Sequence, residues 1–551
     1  MLSDIEISQQ AKLFKINKIA SKLNFKSEDI IPYGYYKAKV RSNPTCPTNG
    51  RLILVTAITP TPAGEGKSTV SIGLADAFSR LKQNVALSLR EPSLGPCFGV
   101  KGGATGGGMS QVVPMDEINL NFTGDIHAIT SANNLLCAVI DNHIKHGNKL
   151  DIQKVYFKRC LDLNDRALRE VEIGLGGQLN GQPRKEGFNI TVASEIMAIL
   201  CLAKDMDDLK SRLNQIVIGI NSSNTPIYAK DLKVTGALCA ILKEAILPNM
   251  VQTLEHTPTF IHGGPFANIA HGTSSYIAAR TALQHADYVI TEAGFGADLG
   301  AEKFFDIFSR QTGLYPSAVV LVATARALKM HGGVGKDSLA AENLSALQQG
   351  FSNLQAHISN IQKFGITPIV AINRFTTDTI KELNLIRKMC RDIGIEAIVS
   401  EGWAKGGKGC INLAKSVINS LESNRNIKIN LQYKDNLSPT EKLKILARNI
   451  YGAEDISLTA TAQQDLADFV RWGYGKLPLC VAKTQNSLSH DKNLLGAPHG
   501  YIFPITEVRL SAGAGFIVAL SGKISTMPGL PEHPAAENID VDENGNITGL
   551  F

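Results

Sequence analysis

The chain has 551 residues, enough for two to four domains on the usual scale of about 100–200 residues each. Its 44% hydrophobic and 19% charged residues are typical of a soluble globular protein. The net charge of +6 is small for this length, and no run of lysine and arginine is interleaved with aromatic residues, so nucleic acid is not a predicted partner.

The nine cysteines occur singly, with no C-x-x-C pair, which favours reduced thiols over a disulfide framework. The N-terminal sequence MLSDIEISQQAKLFKI lacks the apolar core of a signal peptide. No segment reaches the roughly 18 consecutive apolar residues of a membrane span. The sequence therefore predicts a cytoplasmic enzyme without membrane attachment.

The first predicted strand is the apolar run Leu52–Val55, which follows a helical lead-in over residues 1–40 and a turn-rich connector over residues 42–50. An apolar run of this kind is typical of a parallel strand that is buried on both faces. Apolar residues then recur at helical spacing, so a helix is predicted to begin near Lys67.

Between this strand and helix lies the sequence TAITPTPAGEGKST, residues 56–69. Its prolines and glycines predict a tight loop whose backbone N–H groups, together with the helix dipole, suit a phosphate. Lys67 would add an ammonium for the outer phosphates and Ser68 a hydroxyl for Mg²⁺, as in a P-loop. The P-loop pattern is incomplete because Thr61 stands at its first glycine, and an ordinary strand-to-helix turn with a surface lysine is the alternative.

The next predicted strand, Asn84–Leu89, ends at Arg90-Glu91. A guanidinium at a strand end could bind a carboxylate or an acyl phosphate through paired hydrogen bonds, with Glu91 holding it in place. A surface ion pair is the alternative. The following sequence GVKGGATGGG, residues 99–108, predicts a loop that lets the backbone approach a ligand or another chain, or else a flexible surface loop.

A helix is predicted over Asp125–Lys145. Asp125 could accept a proton or contact metal-bound water, or it could simply cap the helix. Short buried strands then alternate with helices, which predicts an α/β fold with a doubly wound, mostly parallel sheet and functional residues at the carboxyl ends of its strands. These further strands are Phe188–Val192, Pro258–His262, Ala286–Thr291, Ala318–Ala323, Thr367–Ile372 and Glu396–Val399.

Several of these strand ends carry residues of chemical interest. His262 and His271 are a possible metal pair, but neither their spacing nor a third ligand supports zinc, so a backbone role of this glycine-rich segment is favoured. Phe295 follows one strand, Phe375 another and Trp403 a third. Such rings could form flat walls for a planar ligand, or they could simply pack in the core. The residues alone thus predict a phosphoryl-transfer enzyme whose substrate stays undefined.

These residues lie within ten longer motifs through which essentially the whole chain closely resembles the formate–tetrahydrofolate ligase (10-formyltetrahydrofolate synthetase) family. The length is similar to that of the stand-alone bacterial enzymes rather than the fused eukaryotic form. The motifs are TPTPAGEGKST (59–69), REPSLGPCFGVKGGATGGG (90–108), FTGDIHAIT (122–130), HGGPFANIAHG (262–272), TEAGFGADLGAEKF (291–304), RALKMHGG (326–333), AINRF (371–375), SEGWAKGG (400–407), AKTQNS (482–487) and TMPGLP (526–531).

The resemblance implies ATP-dependent ligation of formate to tetrahydrofolate, which gives 10-formyltetrahydrofolate, ADP and phosphate. A formate oxygen would attack the γ-phosphorus of MgATP to form formyl phosphate. N10 of the folate would then attack the formyl carbon and expel phosphate. Chemistry of this kind needs charge neutralisation and positioning more than a covalent nucleophile.

The resemblance also implies roles for individual residues. Lys67, Arg90 and Asp125 would be catalytic, with Arg90 holding formyl phosphate and Asp125 near the reacting centre. Phe375 and Trp403 would enclose the pterin of the folate, and Phe295 would add to that wall. Ser68 would also reach the Mg²⁺ that is bound to ATP. ATP itself would be bound by Thr61, Pro62, Ala63, Gly64, Glu65, Gly66, Lys67, Ser68 and Thr69.

The family architecture implies a homotetramer whose subunits have three domains around a cleft, and a monovalent cation as a further requirement. The predicted domains are a P-loop nucleotide-binding domain over residues 1–350, an α/β domain over residues 351–440 that contributes the pterin slot, and a small C-terminal α/β domain over residues 441–551. Six positions depart from the family pattern without removing a predicted catalytic residue: Thr105, Met109, Asn121, Ala325, Asn486 and Lys492.

Two alternatives remain at this point. The first is a P-loop switch ATPase that acts on a protein partner, and the second is a homologue that binds folate or nucleotide without turnover. Nucleotide hydrolysis that ignores formate would favour the switch, and binding without hydrolysis would favour the inactive homologue.

Overall fold

The computed structural model describes residues 2–43, 45–62, 64–99, 105–424, 427–522 and 524–550. Ala63 of the predicted ATP loop and residues 100–104 of the predicted glycine-rich loop lie outside the described residues.

A 12-stranded, mostly parallel sheet forms the centre of the chain. Two of its strands lie off the main path: Ser110–Val113 pairs with Asn249–Thr253 and with the two-residue strand Gly106–Gly107. The α/β fold with a large parallel sheet is thus confirmed. In order across the sheet, the other strands are Ile30–Pro32, Ala38–Val40, Asn249–Thr253, Pro258–Ile261, Val85–Leu89, Tyr288–Glu292, Arg51–Ala57, Ala318–Ala323, Ile369–Asn373 and Ala397–Ser400.

All strands from Pro258–Ile261 to Ala397–Ser400 in this order are parallel. The first three strands of the order instead pair antiparallel with their neighbours. The parallel strands therefore end at one common edge, and the loops that follow them meet there.

The central strand Arg51–Ala57 is buried on both faces, because helices cover the sheet on both sides. Leu52 and Leu54 face one core cluster, and Ile53 and Val55 face the other. A strand covered in this way has a continuous apolar sequence rather than an alternating one. The helix Lys67–Arg80 supplies the second cluster with apolar side chains along its length.

The remaining elements surround this sheet. The other strands form small sheets and are Lys154–Val155, Cys160–Leu161, Val171–Ile173, Arg184–Glu186, Asn189–Ile190, Val217–Ile220, Pro226–Tyr228, Asp455–Leu458, Leu479–Ala482, Ile502–Ile505, Glu507–Ser511, Phe516–Leu520, Asp540–Val541 and Ile547–Thr548. The α-helices are Asp4–Gln9, Ile16–Ser21, Lys67–Arg80, Leu94–Phe98, Met115–Asn119, Asp125–Lys145, Glu195–Leu202, Met206–Asn214, Thr235–Ile241, Tyr276–His285, Gly300–Lys303, Arg310–Thr312, Ala325–His331, Leu344–Lys363, Ile380–Asp392, Gly402–Lys405, Ile411–Ser423, Pro439–Asn449 and Ala460–Arg471. None of the helices in the described part of the chain has the length and apolar character of a membrane span.

The first 40 residues differ from the predicted helical lead-in. Their described part forms two short α-helices and a 3-10 turn at Ser27–Asp29, and the strands Ile30–Pro32 and Ala38–Val40 then begin the main sheet. The second of these strands pairs with Asn249–Thr253, more than 200 residues away. Local sequence patterns do not reveal a pairing of that range, which explains the difference.

The sheet does not follow the predicted domain boundary at residue 350. The helix Leu344–Lys363 runs through that position. The strands Ile369–Asn373 and Ala397–Ser400, from the predicted second domain, extend the main sheet directly. A strand is apolar throughout in any sheet that helices cover on both faces, so an apolar run alone does not tell which domain the strand belongs to. The boundary near residue 440 stays a prediction.

Candidate active site

The predicted site residues follow strands that end at the common edge of the sheet. The loop at residues 58–66 follows the strand Arg51–Ala57, and Arg90 follows Val85–Leu89. The three aromatic residues Phe295, Phe375 and Trp403 come directly or a few residues after the strands that end at residues 292, 373 and 400. The fold therefore brings these five predicted features to one edge.

The loop before the helix Lys67–Arg80 is braced from inside by Glu65, which is 2% exposed. Its Oε1 accepts a hydrogen bond from the backbone N of Thr61 at 2.7 Å. Its Oε2 accepts one from the hydroxyl of Thr324, a residue at the end of the neighbouring strand. The Glu65 side chain is thus engaged in shaping the loop, which leaves only its backbone for a ligand.

Gly66 caps this helix in a left-handed conformation, with φ of 70°. The side chain of Asn373 lies against it, and Asn373 Nδ2 donates to the carbonyl of Glu65 at 3.0 Å. A Cβ atom on Gly66 would lie only 2.3 Å from that Nδ2. Only glycine fits both the conformation and the space at this position. Asn373 was not a predicted site residue, although it stands at a strand end.

Glu292 connects the start of this helix to Arg90. The hydroxyl of Ser68 donates to Glu292 Oε2 at 2.8 Å, and Arg90 Nη2 lies 3.6 Å from Glu292 Oε1. Arg90 Nη1 also donates to the carbonyl of Pro265 at 3.3 Å. Its Nε has no hydrogen-bond partner among the described residues. Lys67 is partly buried in the first turn beside Ser68.

The acid that holds Arg90 is therefore Glu292 and not the predicted Glu91. Glu91 follows Arg90 directly, but among the described residues the ion pair of Arg90 is with Glu292. The backbone N of Glu91 donates to the carbonyl of Gly263 at 2.7 Å, and its carboxyl is buried away from Arg90's ion pair. Glu292 was visible in the sequence as an acidic residue at a strand end, which is the signal that could have identified it.

Asp125 is buried beside Lys39 and does not cap its helix. Gly124 is the capping residue, and the Asp125 carboxylate pairs with Lys39 Nζ at 2.7 Å and accepts from Asn249 Nδ2 at 2.8 Å. Burial raises the pKa of Glu91 well above its usual range, and the charge of Asp125 adds to this effect. Asp125 and Glu91 are thus electrostatic neighbours, and Glu91 lines a cavity of about 520 Å³ next to Gly124.

Phe295 has a backbone φ of 56°, which is rare for a bulky residue and costs on the order of 1–3 kcal/mol. Such a conformation persists only where the surroundings fix it. Three residues later, the buried carboxylate of Asp298 pairs with Lys483 Nζ at 2.6 Å. Lys483 also donates to the carbonyl of Ser487 at 2.6 Å. The C-terminal segment thereby holds the turn that carries Phe295.

Replacing Lys483 with methionine is expected to lower the free energy of unfolding by about 3–5 kcal/mol, because it leaves the buried Asp298 carboxylate without its partner. Denaturant unfolding measures this loss. Lys405→Met is the matched control: Lys405 pairs with Glu401 at the same distance of 2.6 Å but is 51% exposed, so its loss should cost about 0.3–0.5 kcal/mol. Equal losses in the two variants would contradict the assigned role of Lys483.

The other two predicted pterin residues lie on neighbouring strand ends, where Asn373 pairs with Ser400. The guanidinium of Arg326 lies 4.3 Å from the ring centroid of Phe375. The carbonyl of Trp403 accepts from the backbone N of Met109 at 2.8 Å. The rings of Phe295, Phe375 and Trp403 do not stack on one another within the described residues.

The glycine-rich segment packs directly on Trp403. A Cβ atom on Gly108 would lie 2.2 Å from the Trp403 carbonyl oxygen and 2.9 Å from two atoms of its ring. The predicted close backbone approach thus occurs within the chain, at residues that belong to the candidate pterin wall. In the same segment, Thr105 accepts a hydrogen bond from Asn119 Nδ2 at 3.1 Å, and Met109 is exposed.

Both histidines of the 262–272 segment are buried, and the His262 ring is also hydrogen-bonded within the chain. Nδ1 of His262 bonds to the hydroxyl of Ser275 and Nε2 to the carbonyl of Ala245, each at 2.6 Å. Burial lowers the pKa of His262 to about 4 and that of His271 to about 3. Both rings are therefore neutral at pH 7.

Comparison with known proteins adds two findings. Among solved structures, the chain is similar to a folylpolyglutamate synthetase from Helicobacter pylori at 10% identity, over 85% of this chain and 88% of that chain, with a TM-score of 0.19. A likeness this weak carries no argument about fold or function. The family model described as formate–tetrahydrofolate ligase matches residues 2–551. The chain therefore belongs to the formate–tetrahydrofolate ligase family, whose members are ATP-dependent enzymes that join formate to tetrahydrofolate.

Proposed function

We propose that the chain ligates formate to tetrahydrofolate in two steps through formyl phosphate, and that it releases 10-formyltetrahydrofolate, ADP and phosphate. The observation that carries this proposal is the position of Glu292, whose carboxylate contacts both Ser68 and Arg90. It puts a helix N-terminus that suits ATP phosphates beside a guanidinium that suits an acyl phosphate.

The loop at residues 61–69 would act as a P-loop. Backbone N–H groups near Gly66 and the N-terminus of the following helix would hold the phosphates, and Lys67 would neutralise their charge. The hydroxyl of Ser68 and the carboxylate of Glu292 are hard oxygen donors, which fit the Mg²⁺ that accompanies ATP. Magnesium would neutralise phosphate charge. The proposed monovalent cation has no residues assigned to it.

Arg90 would hold the formate oxygen in line with the γ-phosphorus and then bind the formyl phosphate that results. Its Nε has no hydrogen-bond partner in the described part of the chain, and its contact with Glu292 is long at 3.6 Å, so the guanidinium still has donors for an anion. The new P–O bond forms as the bond to ADP breaks. The guanidinium therefore faces the negative charge of the phosphoryl group both before and after its transfer. Asp125, which is tied to Lys39 and Asn249, would act near the reacting centre by positioning.

The pterin of tetrahydrofolate would lie between Phe375 and Trp403, with Phe295 at the side. This arrangement is supported by the neighbouring positions of the two strand ends and by the fixed, left-handed backbone of Phe295. N10 would then reach the formyl carbon, and phosphate would leave with the oxygen that formate supplied.

Trp403→Ala is expected to weaken tetrahydrofolate binding by about 1–3 kcal/mol, by analogy with stacking of bases on aromatic side chains. Isothermal titration of the folate checks this value. Tyr35→Ala is the matched control because Tyr35 is 70% exposed in the turn between the strands Ile30–Pro32 and Ala38–Val40, at the opposite edge of the main sheet from Phe375 and Trp403. Equal folate affinity in the Trp403 variant and the unaltered protein would remove Trp403 from the pterin wall.

The remaining features of the family stay proposals. We assign the chain to a homotetramer in the cytoplasm, where its free cysteines would stay reduced. The common edge of the main sheet, where the proposed catalytic residues lie, would face a cleft that the C-terminal part, residues 441–551, helps to close. The ion pair between Lys483 of that part and Asp298, which follows a strand of the main sheet, supports this arrangement.

The proposal is tested by ADP release from MgATP, with formate and tetrahydrofolate supplied singly and together. ADP that appears in stoichiometric amount only when both are present is the expected result. ADP release that requires neither would contradict the proposal, and nucleotide binding without any release would indicate an inactive homologue. The family match gives no support to the switch-ATPase alternative.

A further inference from the structure

A second cavity, of about 470 Å³, lies where the segment 154–158, the helix Ala460–Arg471 and the strand Glu507–Ser511 meet. We refer to it as the C-terminal cavity. Of the residues proposed to bind ATP, formyl phosphate or the pterin, none that the structure describes lines it. Its volume falls within the range of roughly 300–1,000 Å³ that small-molecule sites occupy.

Aromatic residues line the C-terminal cavity. Phe469 and Trp472 have their ring centroids 5.7 Å apart, and Tyr156 and Phe157 line the cavity as well. Trp472 Nε1 donates to the carbonyl of Asn224 at 3.0 Å, and Asn224 is not a lining residue. The N–H of the indole is therefore hydrogen-bonded outside the cavity, and the ring presents an apolar surface to the cavity.

Two cations, Lys158 and Arg509, line the same space. Burial lowers the pKa of Lys158 and the positive charge of Arg509 lowers it further, while the carboxylates of Glu507, Glu186 and Glu170 oppose this effect. Arg509 pairs with Glu507 at 2.6 Å. Lys158 forms no ion pair with any of the residues that the structure describes. Adjacent cations of this kind favour an anionic group between them.

Carboxyl groups also line the cavity. Oε1 of Glu195 accepts hydrogen bonds from the backbone N of Gly513 at 2.8 Å and of Ala514 at 3.4 Å. Burial raises the pKa of Glu195 to about 7, so it is largely uncharged in mildly acidic solution and can donate a hydrogen bond. Asp465 lies near Lys154, whose positive charge opposes the effect of burial on the aspartate pKa.

We propose that the C-terminal cavity binds a planar aromatic compound that bears an anionic group. The ring would lie against Phe469 and Trp472, and the anion would contact Lys158 and Arg509. The hydrogen-bonding edge of the ring would meet Glu195. The inference does not depend on the ligation reaction, because no described residue with a proposed role in that reaction lines the cavity.

The two tryptophans of the chain provide the test, because Trp472 is the sole tryptophan in a Trp403→Phe background. The probe is 1-anilinonaphthalene-8-sulfonate, an aromatic anion that accepts excitation energy from tryptophan. Saturable energy transfer from Trp472 is expected, and the uncharged analogue N-phenyl-1-naphthylamine should bind more weakly. Lys158→Glu should raise the Kd of the anionic probe roughly tenfold or more, because it removes a charged hydrogen bond.

Lys149→Glu is the matched control, since Lys149 is an exposed lysine a few residues before the cavity lining, and it should leave the Kd unchanged. Lys158→Met repeats the test without a charge reversal and guards against misfolding of the glutamate variant. The proposal is overturned if both Lys158 variants bind the probe as the background protein does. It is equally overturned if the uncharged analogue binds as tightly as the anion.

Discussion

Replacing Arg90 with alanine should lower kcat by about 10³-fold, the loss seen when a charged group that stabilises a transferring phosphoryl group is removed. Binding of MgATP should stay nearly unchanged, because the loop at residues 61–69 keeps its brace of Glu65 and Asn373. Rapid-quench measurement of ADP formation and equilibrium binding of ATP give the two values separately. Arg90→Lys should recover little, since an ammonium cannot form paired hydrogen bonds to an acyl phosphate.

Arg80→Ala is the matched control for this prediction. Arg80 lies at the end of the helix that Lys67 begins, and it pairs with Glu255 at 2.6 Å on the surface. Its loss should leave kcat unchanged. Turnover of the Arg90 variant at the rate of the Arg80 variant would exclude Arg90 from the reaction.

Gly66→Ala should raise the Kd for ATP by more than tenfold. An alanine in the left-handed conformation costs about 1–2 kcal/mol, and its Cβ would lie 2.3 Å from Asn373 Nδ2. The loop must then shift, and the hydrogen bond from Asn373 to the carbonyl of Glu65 is lost with it. Backbone N–H groups that are aimed at a phosphate tolerate such a shift poorly. Titration with a non-hydrolysable ATP analogue measures the effect.

Gly333→Ala separates the two causes. Gly333 has φ of 92°, but no atom of the described residues lies within 4 Å of its added Cβ, so this variant has the conformational cost without a collision. Its stability should fall by about 1 kcal/mol while ATP affinity stays the same. If the Gly66 variant also keeps its ATP affinity, the loop is not the nucleotide site.

The sequence predicted the parts of the site that depend on local chain order. The strand Arg51–Ala57, the helix Lys67–Arg80 and the helix Asp125–Lys145 follow from apolar runs, glycine-rich turns and helical spacing. Because the strands are parallel, the residues that follow them share one edge, and the positions of Arg90, Phe375 and Trp403 at that edge are a consequence of order alone.

Contacts between distant segments could not be predicted from local sequence patterns. The sequence shows Glu292 as an acidic residue at a strand end, but only the order of the strands in the sheet brings it into contact with Arg90. The same holds for Asn373 against Gly66 and for Lys483 beside Asp298, which join segments 185 or more residues apart.

The central claim is that a formate oxygen attacks the γ-phosphorus of ATP beside Arg90. It is tested most directly by turnover with formate labelled with ¹⁸O in both oxygens, followed by mass spectrometry of the released phosphate. The proposed path breaks the bond between the formyl carbon and the bridging oxygen, so one ¹⁸O atom per turnover should appear in the phosphate. Phosphate without ¹⁸O from formate, at full conversion of tetrahydrofolate, would contradict the formyl phosphate path.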